Sequence, residues 1–101
     1  MSDATLVSSL ARVKTPKARG YLTQLCKHFA HKIPASFADN RGVIQFAAAR
    51  CELNADAETL LQIECSAPDD NQLRTVEDVV ERHLRRFAFK ELLSIRWVRL
   101  A

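Results

Sequence analysis

The sequence predicts a two-layer α+β sandwich, an antiparallel sheet with two helices on one face. Three observations carry this. Two segments repeat apolar residues at the helical period, several others alternate apolar and polar residues, and the alternating segments lie before, between and after the helical ones. The reading is βαββ(β)αβ, a ferredoxin-like order if a simple hairpin fills the middle. If the middle holds an extra strand, the alternative is a sheet like that of the TATA-binding protein. Residues 1–101 read as a single domain, since a chain of 101 residues makes one core. Residues 1–8 are expected to fray.

Ser9–Thr15 alternates, with Ala11 and Val13 on one face and Leu10, Arg12 and Lys14 on the other, and reads as the first strand. Thr15 and Pro16 supply an N-cap and an N1 proline for a helix running from Pro16 to about Lys32. Its apolar stripe is Ala18, Leu22, Leu25, Cys26 and Phe29, and Pro34 stops it because a residue before proline avoids the α region. Ser36–Arg41 reads as a polar loop with a turn at Asn40-Arg41-Gly42. In Val43–Ala55, Ile44 and Phe46 share one parity while Cys51, Leu53 and Ala55 share the other. A strand cannot change faces without an extra residue or a turn, so a bulge or tight break is expected within Ala47-Ala48-Ala49. Asn54–Thr59 is a turn, and Leu61, Ile63 and Cys65 continue as an alternating strand.

Pro68-Asp69-Asp70 opens the second helix with acidic residues that suit its positive end. The stripe is Leu73, Val76, Val79, Val80, Leu84 and Phe87, and opposite charges recur at helical spacing, as in Asp78–Arg82 and Glu81–Arg85. Leu93–Leu100 reads as the last strand. In the ferredoxin-like order the first and last strands are neighbours.

Charge is unevenly spread. Residues 1–32 carry six basic side chains against Asp3, residues 33–81 three against ten acidic ones, and residues 82–101 six against Glu91. Pairing the two ends gives a basic flank that suits an anionic ligand, nucleic acid or an acidic partner. A dipolar solvated surface explains the same pattern. Two glycines exclude a glycine-rich phosphate loop, and no apolar run is long enough to span a membrane. Met1–Leu10 has neither a basic start nor an apolar block, so no secretory signal is expected. Three cysteines, Cys26, Cys51 and Cys65, with no C-x-x-C spacing, suggest free thiols in a reducing cytoplasm. If the turn is centred within Asn54–Thr59, Cys51 and Cys65 sit diagonally across paired strands.

The candidate site residues are His28, His31, Lys32, His83 and Arg86. His28 and His31, three apart on a helix, can face one metal ion, whereas Cys26 is about 160° from His28 and does not join them. His83 falls inside the second apolar stripe, so it must be hydrogen-bonded or open onto a cleft. No catalytic set is assigned. A small enzyme using His83 or Cys51 is one alternative. A nucleic-acid-binding domain using the basic ends and the interleaved Phe87, Phe89 and Trp97 is another, although no RNA-recognition or helix-turn-helix signature is present.

Three stretches resemble the bacterial domain-of-unknown-function family 2218. They are Tyr21-Leu22-Thr23-Gln24-Leu25-Cys26-Lys27-His28-Phe29-Ala30-His31-Lys32, Arg50-Cys51-Glu52-Leu53, and His83-Leu84-Arg85-Arg86-Phe87-Ala88-Phe89-Lys90-Glu91 followed by Trp97. The resemblance runs from about Ala11 to Arg99. Ala47-Ala48-Ala49 departs from it, since relatives tend to have a Pro-Phe-Gly-like turn there. The resemblance implies a bacterial domain that also occurs joined to siderophore-interacting flavin reductases. It therefore implies a binding or accessory part in iron handling, with an iron chelate or haem as ligand and a reductase of that type as partner. No membrane partner is implied, and oligomeric state is left open.

Overall fold

The computed structural model describes residues 6–100. Its elements are β1 (Val7–Lys14), α1 (Ala18–Ala30), β2 (Ala35–Ala38), β3 (Arg41–Gln45), β4 (Arg50–Asn54), β5 (Leu60–Ala67), α2 (Asp70–Phe87) and β6 (Val98–Arg99). The strands form one sheet in the order β2-β3-β4-β5-β1-β6, with every pairing antiparallel. The α+β class and the one-sided core follow the sequence. The strip β4-β5-β1-β6 with its two helices keeps the ferredoxin-like order, and β2 and β3 widen it on one side. The meander thus has four strands, closer to the extended-sheet alternative. β1 begins at Val7, inside the stretch 1–8 expected to fray, and residues 1–5 of that stretch lie outside the described residues.

Strand parity decides which face is core. Ala11 and Val13 of β1 meet Ile63 and Leu61 of β5, and Cys65 and Ile63 meet Cys51 and Leu53 of β4, all of them buried. A one-residue slip would send every one of them to water, which fixes the register. α1 covers this face with Leu22, Leu25, Cys26 and Phe29, and α2 with Leu73, Val76, Val80 and Leu84. Ser9, the buried polar member of the β1 row, donates to Glu77 of α2 at 2.5 Å and so ties that helix to the sheet.

Several local expectations change. β2 occupies residues placed in a loop; its Ala-Ser-Phe-Ala sequence lacks a polar–apolar alternation, and it is held by a hairpin with β3. The turn of that hairpin is Asp39-Asn40, with Asp39 at φ 54°. This is a left-handed conformation that Asp tolerates better than most residues. Gly42 is therefore not a turn residue but a member of β3, where α1 passes close by. A Cβ there would lie 2.6 Å from Cys26 Sγ and 3.2 Å from Leu22 Cδ2. The parity break does fall where expected: β3 ends at Gln45, β4 starts at Arg50, and the Phe46 amide closes the turn onto the Ala49 carbonyl at 2.8 Å.

α1 begins at Ala18 rather than Pro16. Thr15 does not cap it in the usual register, although its hydroxyl accepts from the Lys17 amide at 3.1 Å. α2 starts as read, with the Asp69 carboxylate accepting from the Gln72 amide at 2.8 Å. The expected last strand shrinks to Val98–Arg99, which pairs with Leu10 and Ser9 of β1. Side chains of α2 hold the preceding residues away from the sheet edge: Trp97 donates to Glu81 at 2.9 Å, and Arg85 donates to the Leu93 carbonyl at 3.1 Å.

Candidate functional site between the two helices

Two stripes of α1 do different work. Ala18, Leu22, Leu25, Cys26 and Phe29 enter the core. Lys17, Tyr21, Gln24, His28 and His31 recur at three- and four-residue intervals about 100° away on the helix wheel. Members of this second stripe meet the C-terminal end of α2 and the chain just after it. At the start of α1, Glu91 joins the pieces. It accepts from Thr15 at 2.8 Å and from the Tyr21 hydroxyl through its other oxygen. Burial and the Glu91 carboxylate push the Tyr21 phenol up to about 12, and the same hydrogen bonds hold Glu91 below the usual carboxylate range.

At the other end of α1 the histidines converge. The rings of His28 on α1 and His83 on α2 lie 4.8 Å apart, centroid to centroid. Both touch Phe29, at 5.1 and 4.8 Å, and Phe87 lies 5.6 Å from His28. Phe46, from the β3–β4 turn, meets Phe29 edge-on at 5.3 Å. A hollow of about 360 Å³ is lined by His28, Phe29, His31, Lys32 and His83. The hollow thus brings together four of the five residues singled out from the sequence, His28, His31, Lys32 and His83, and Arg86 is not among its lining residues. The rings of Phe29 and Phe46 were not singled out, because their spacing or parity assigns them to the core, and Phe87 was named as a candidate only among the aromatics of the nucleic-acid alternative. Phe29 does both jobs, buried yet lining the hollow.

The chemistry of the two imidazoles is partly set. His83 Nδ1 lies 2.7 Å from the Val79 carbonyl. A carbonyl can only accept, so Nδ1 carries the hydrogen and a neutral His83 keeps its Nε2 lone pair unspent. His83 is therefore both hydrogen-bonded and at a cleft, the two readings that the sequence set against each other. His28 is held below its ordinary 6.5, first by loss of water around the ring, then by its neighbours His83, His31, Arg86 and Lys32. At neutral pH His28 is an uncharged acceptor or donor flanked by cations.

Cys51 has no place in this site. It is fully buried and directly opposite Cys65 in the strand register, not diagonal to it as expected from the sequence, because the β4–β5 connection is centred on Glu58, near the end of Asn54–Thr59 and not at its middle. Its contact with Cys65 and its burial raise the thiol well above its ordinary value, which removes the thiolate a nucleophile needs. All three cysteines are free and buried. Among the described residues, no three His, Cys, Asp or Glu side chains are grouped to hold a metal ion, so His28 and His31 have no third donor of that kind. No helix among the described residues is long and apolar enough to cross a membrane.

Fold and seam together define a small α+β sandwich whose two helices enclose a histidine-lined hollow. A family model described as an uncharacterised protein conserved in bacteria, DUF2218, matches residues 10–98, and the chain belongs to that family. It is similar to the NMR structure of PA4090 from Pseudomonas aeruginosa, with a TM-score of 0.78 and 35% sequence identity, over 91% of this chain and 95% of that one. No curated protein matches the chain.

Proposed function

We propose that this domain binds a small anionic ligand in the hollow between α1 and α2, as a binding or accessory module and not as an enzyme. The observation that carries the reading is the convergence of His28 and His83, from separate helices, within 4.8 Å. The hollow, at about 360 Å³, falls within the size range of small-ligand pockets. Phe29 offers an aromatic wall, Lys32 supplies positive charge, and His28 and His83 offer ring nitrogens. This donor set suits an anion with a flat or metal-bearing part. The ligand class we favour is an iron chelate or haem, in keeping with the siderophore-reductase link that the family resemblance implies. The three free thiols support a reducing, cytoplasmic setting.

Titration with haem and with a ferric hydroxamate chelate tests the reading. Saturable binding is expected, weakened at least tenfold in a His28→Ala, His31→Ala double variant. Equal affinity in that variant, or no binding of either probe, would overturn the iron-chelate assignment.

A further inference from the structure

Phe87, whose ring touches His28, also lines a second and larger hollow of about 530 Å³ at the opposite end of the helix seam. α1 contributes Gly20, Tyr21 and Gln24 to it, Lys17 stands just before that helix, and the end of α2 with the following turn contributes Phe87, Phe89 and Lys90. Gly20 is the telling residue. Glycine is a poor helix former, and neither backbone nor packing calls for one here: its φ is not positive, and a Cβ would meet nothing within 4 Å. Its effect is to keep the floor of the hollow open.

The walls have a definite chemistry. Phe89 is 76% exposed, unusual for so large an apolar ring, and Lys90 Nζ stands 5.7 Å from its centroid. Among the described residues neither Lys17 nor Lys90 is held in an ion pair. Glu91, whose two oxygens accept from Thr15 and Tyr21, does not line the hollow. Among the described residues the lining of this hollow therefore holds aromatic faces, two ammonium groups and no carboxylate.

We propose that this second hollow binds an aromatic carboxylate, its ring against Phe87 and Phe89 and its carboxylate between Lys17 and Lys90. The site is separate from the histidine hollow and does not rest on it. The probe is 2-naphthoate, titrated into the 15N-labelled protein and followed by amide chemical shifts. Saturable shifts are expected at residues 17–24 and 87–90. Neutral 2-naphthol should bind at least tenfold more weakly, as should naphthoate to a Lys17→Gln, Lys90→Gln variant. Gly20→Leu, which fills the hollow at a position of open space and improves helix propensity, should abolish binding while the amide spectrum stays folded. Undiminished binding to folded Gly20→Leu, shifts confined to residues 28–32 and 83, or no saturation at millimolar naphthoate would each overturn the proposal.

Discussion

The two stripes of α1 differ in almost every physical respect. The sheet-facing stripe is apolar, buried and so close to β3 that only a glycine fits beneath Cys26. The stripe facing the end of α2 is polar and aromatic, half open, and bordered by two hollows. One helix is thus fixed by one face and left chemically free on another. The lesson is that stability and binding chemistry in this small domain are carried mostly by different residues of the same element, with Phe29 and Tyr21 shared between them. Substitutions should separate them.

The largest effect is expected on the closed side. Leu22 is fully buried, and its truncation to Ala should cost about 2–5 kcal/mol through lost burial and the cavity left behind. Urea denaturation measures this, and a loss below about 1 kcal/mol would mean that α1 is not held by its sheet face. Gly42→Ala probes the same contact from beneath. The added methyl meets Cys26 Sγ at 2.6 Å, and β3 cannot retreat because it is paired on both sides, so a loss of about 1–3 kcal/mol is expected. Cys26→Ala removes the obstructing sulfur and should recover part of that loss in the double variant, a coupling that distant sites would not show. Asp69→Ala should cost about 1 kcal/mol by freeing the Gln72 amide at the start of α2, with ligand affinity at the far end of that helix unchanged.

How much of this contrast was legible in the sequence depends on range. The core-facing stripe of α1 is a local periodicity and could be read directly, as could the acidic start of α2 and the parity break before Arg50. What could not be read was set by pairing at a distance. β2 has no alternation of its own and exists because β3 lies beside it. The Cys51–Cys65 register depends on where the β4–β5 connection is centred, which composition leaves open by a residue or two. The expected last strand alternates in burial from Leu93 to Val98 but pairs with the sheet only at Val98–Arg99, because Trp97 and the Leu93 carbonyl found partners on α2. The candidate histidines were visible one by one. Their convergence was not, since the angle at which two helices meet is decided by core packing. The phenylalanine walls were hidden for a related reason: a ring that serves core and hollow together has the same sequence signature as one that serves the core alone.

The smallest expected effect on stability is on the open side, where it is chiefly a matter of pH. His28→Ala should change stability by no more than about 0.5 kcal/mol near neutrality, because the side chain is exposed and makes no buried hydrogen bond. Its ionisation is the sharper readout. With its native value held below the ordinary 6.5, the unfolded chain binds more protons than the folded one over the interval between the two. The contribution of this group to stability is therefore complete above about 6.5 and is lost as pH falls through the lowered native value. An NMR titration of the His28 ring should place its midpoint below 6.5. Arg86→Ala and Lys32→Ala should each move the midpoint upward without restoring it fully, because loss of water around the ring outranks the neighbouring charges. A native midpoint at or above 6.5 would show that the ring is fully solvated and free of its neighbours, and the distinction between a closed and an open face of α1 would lose its electrostatic support.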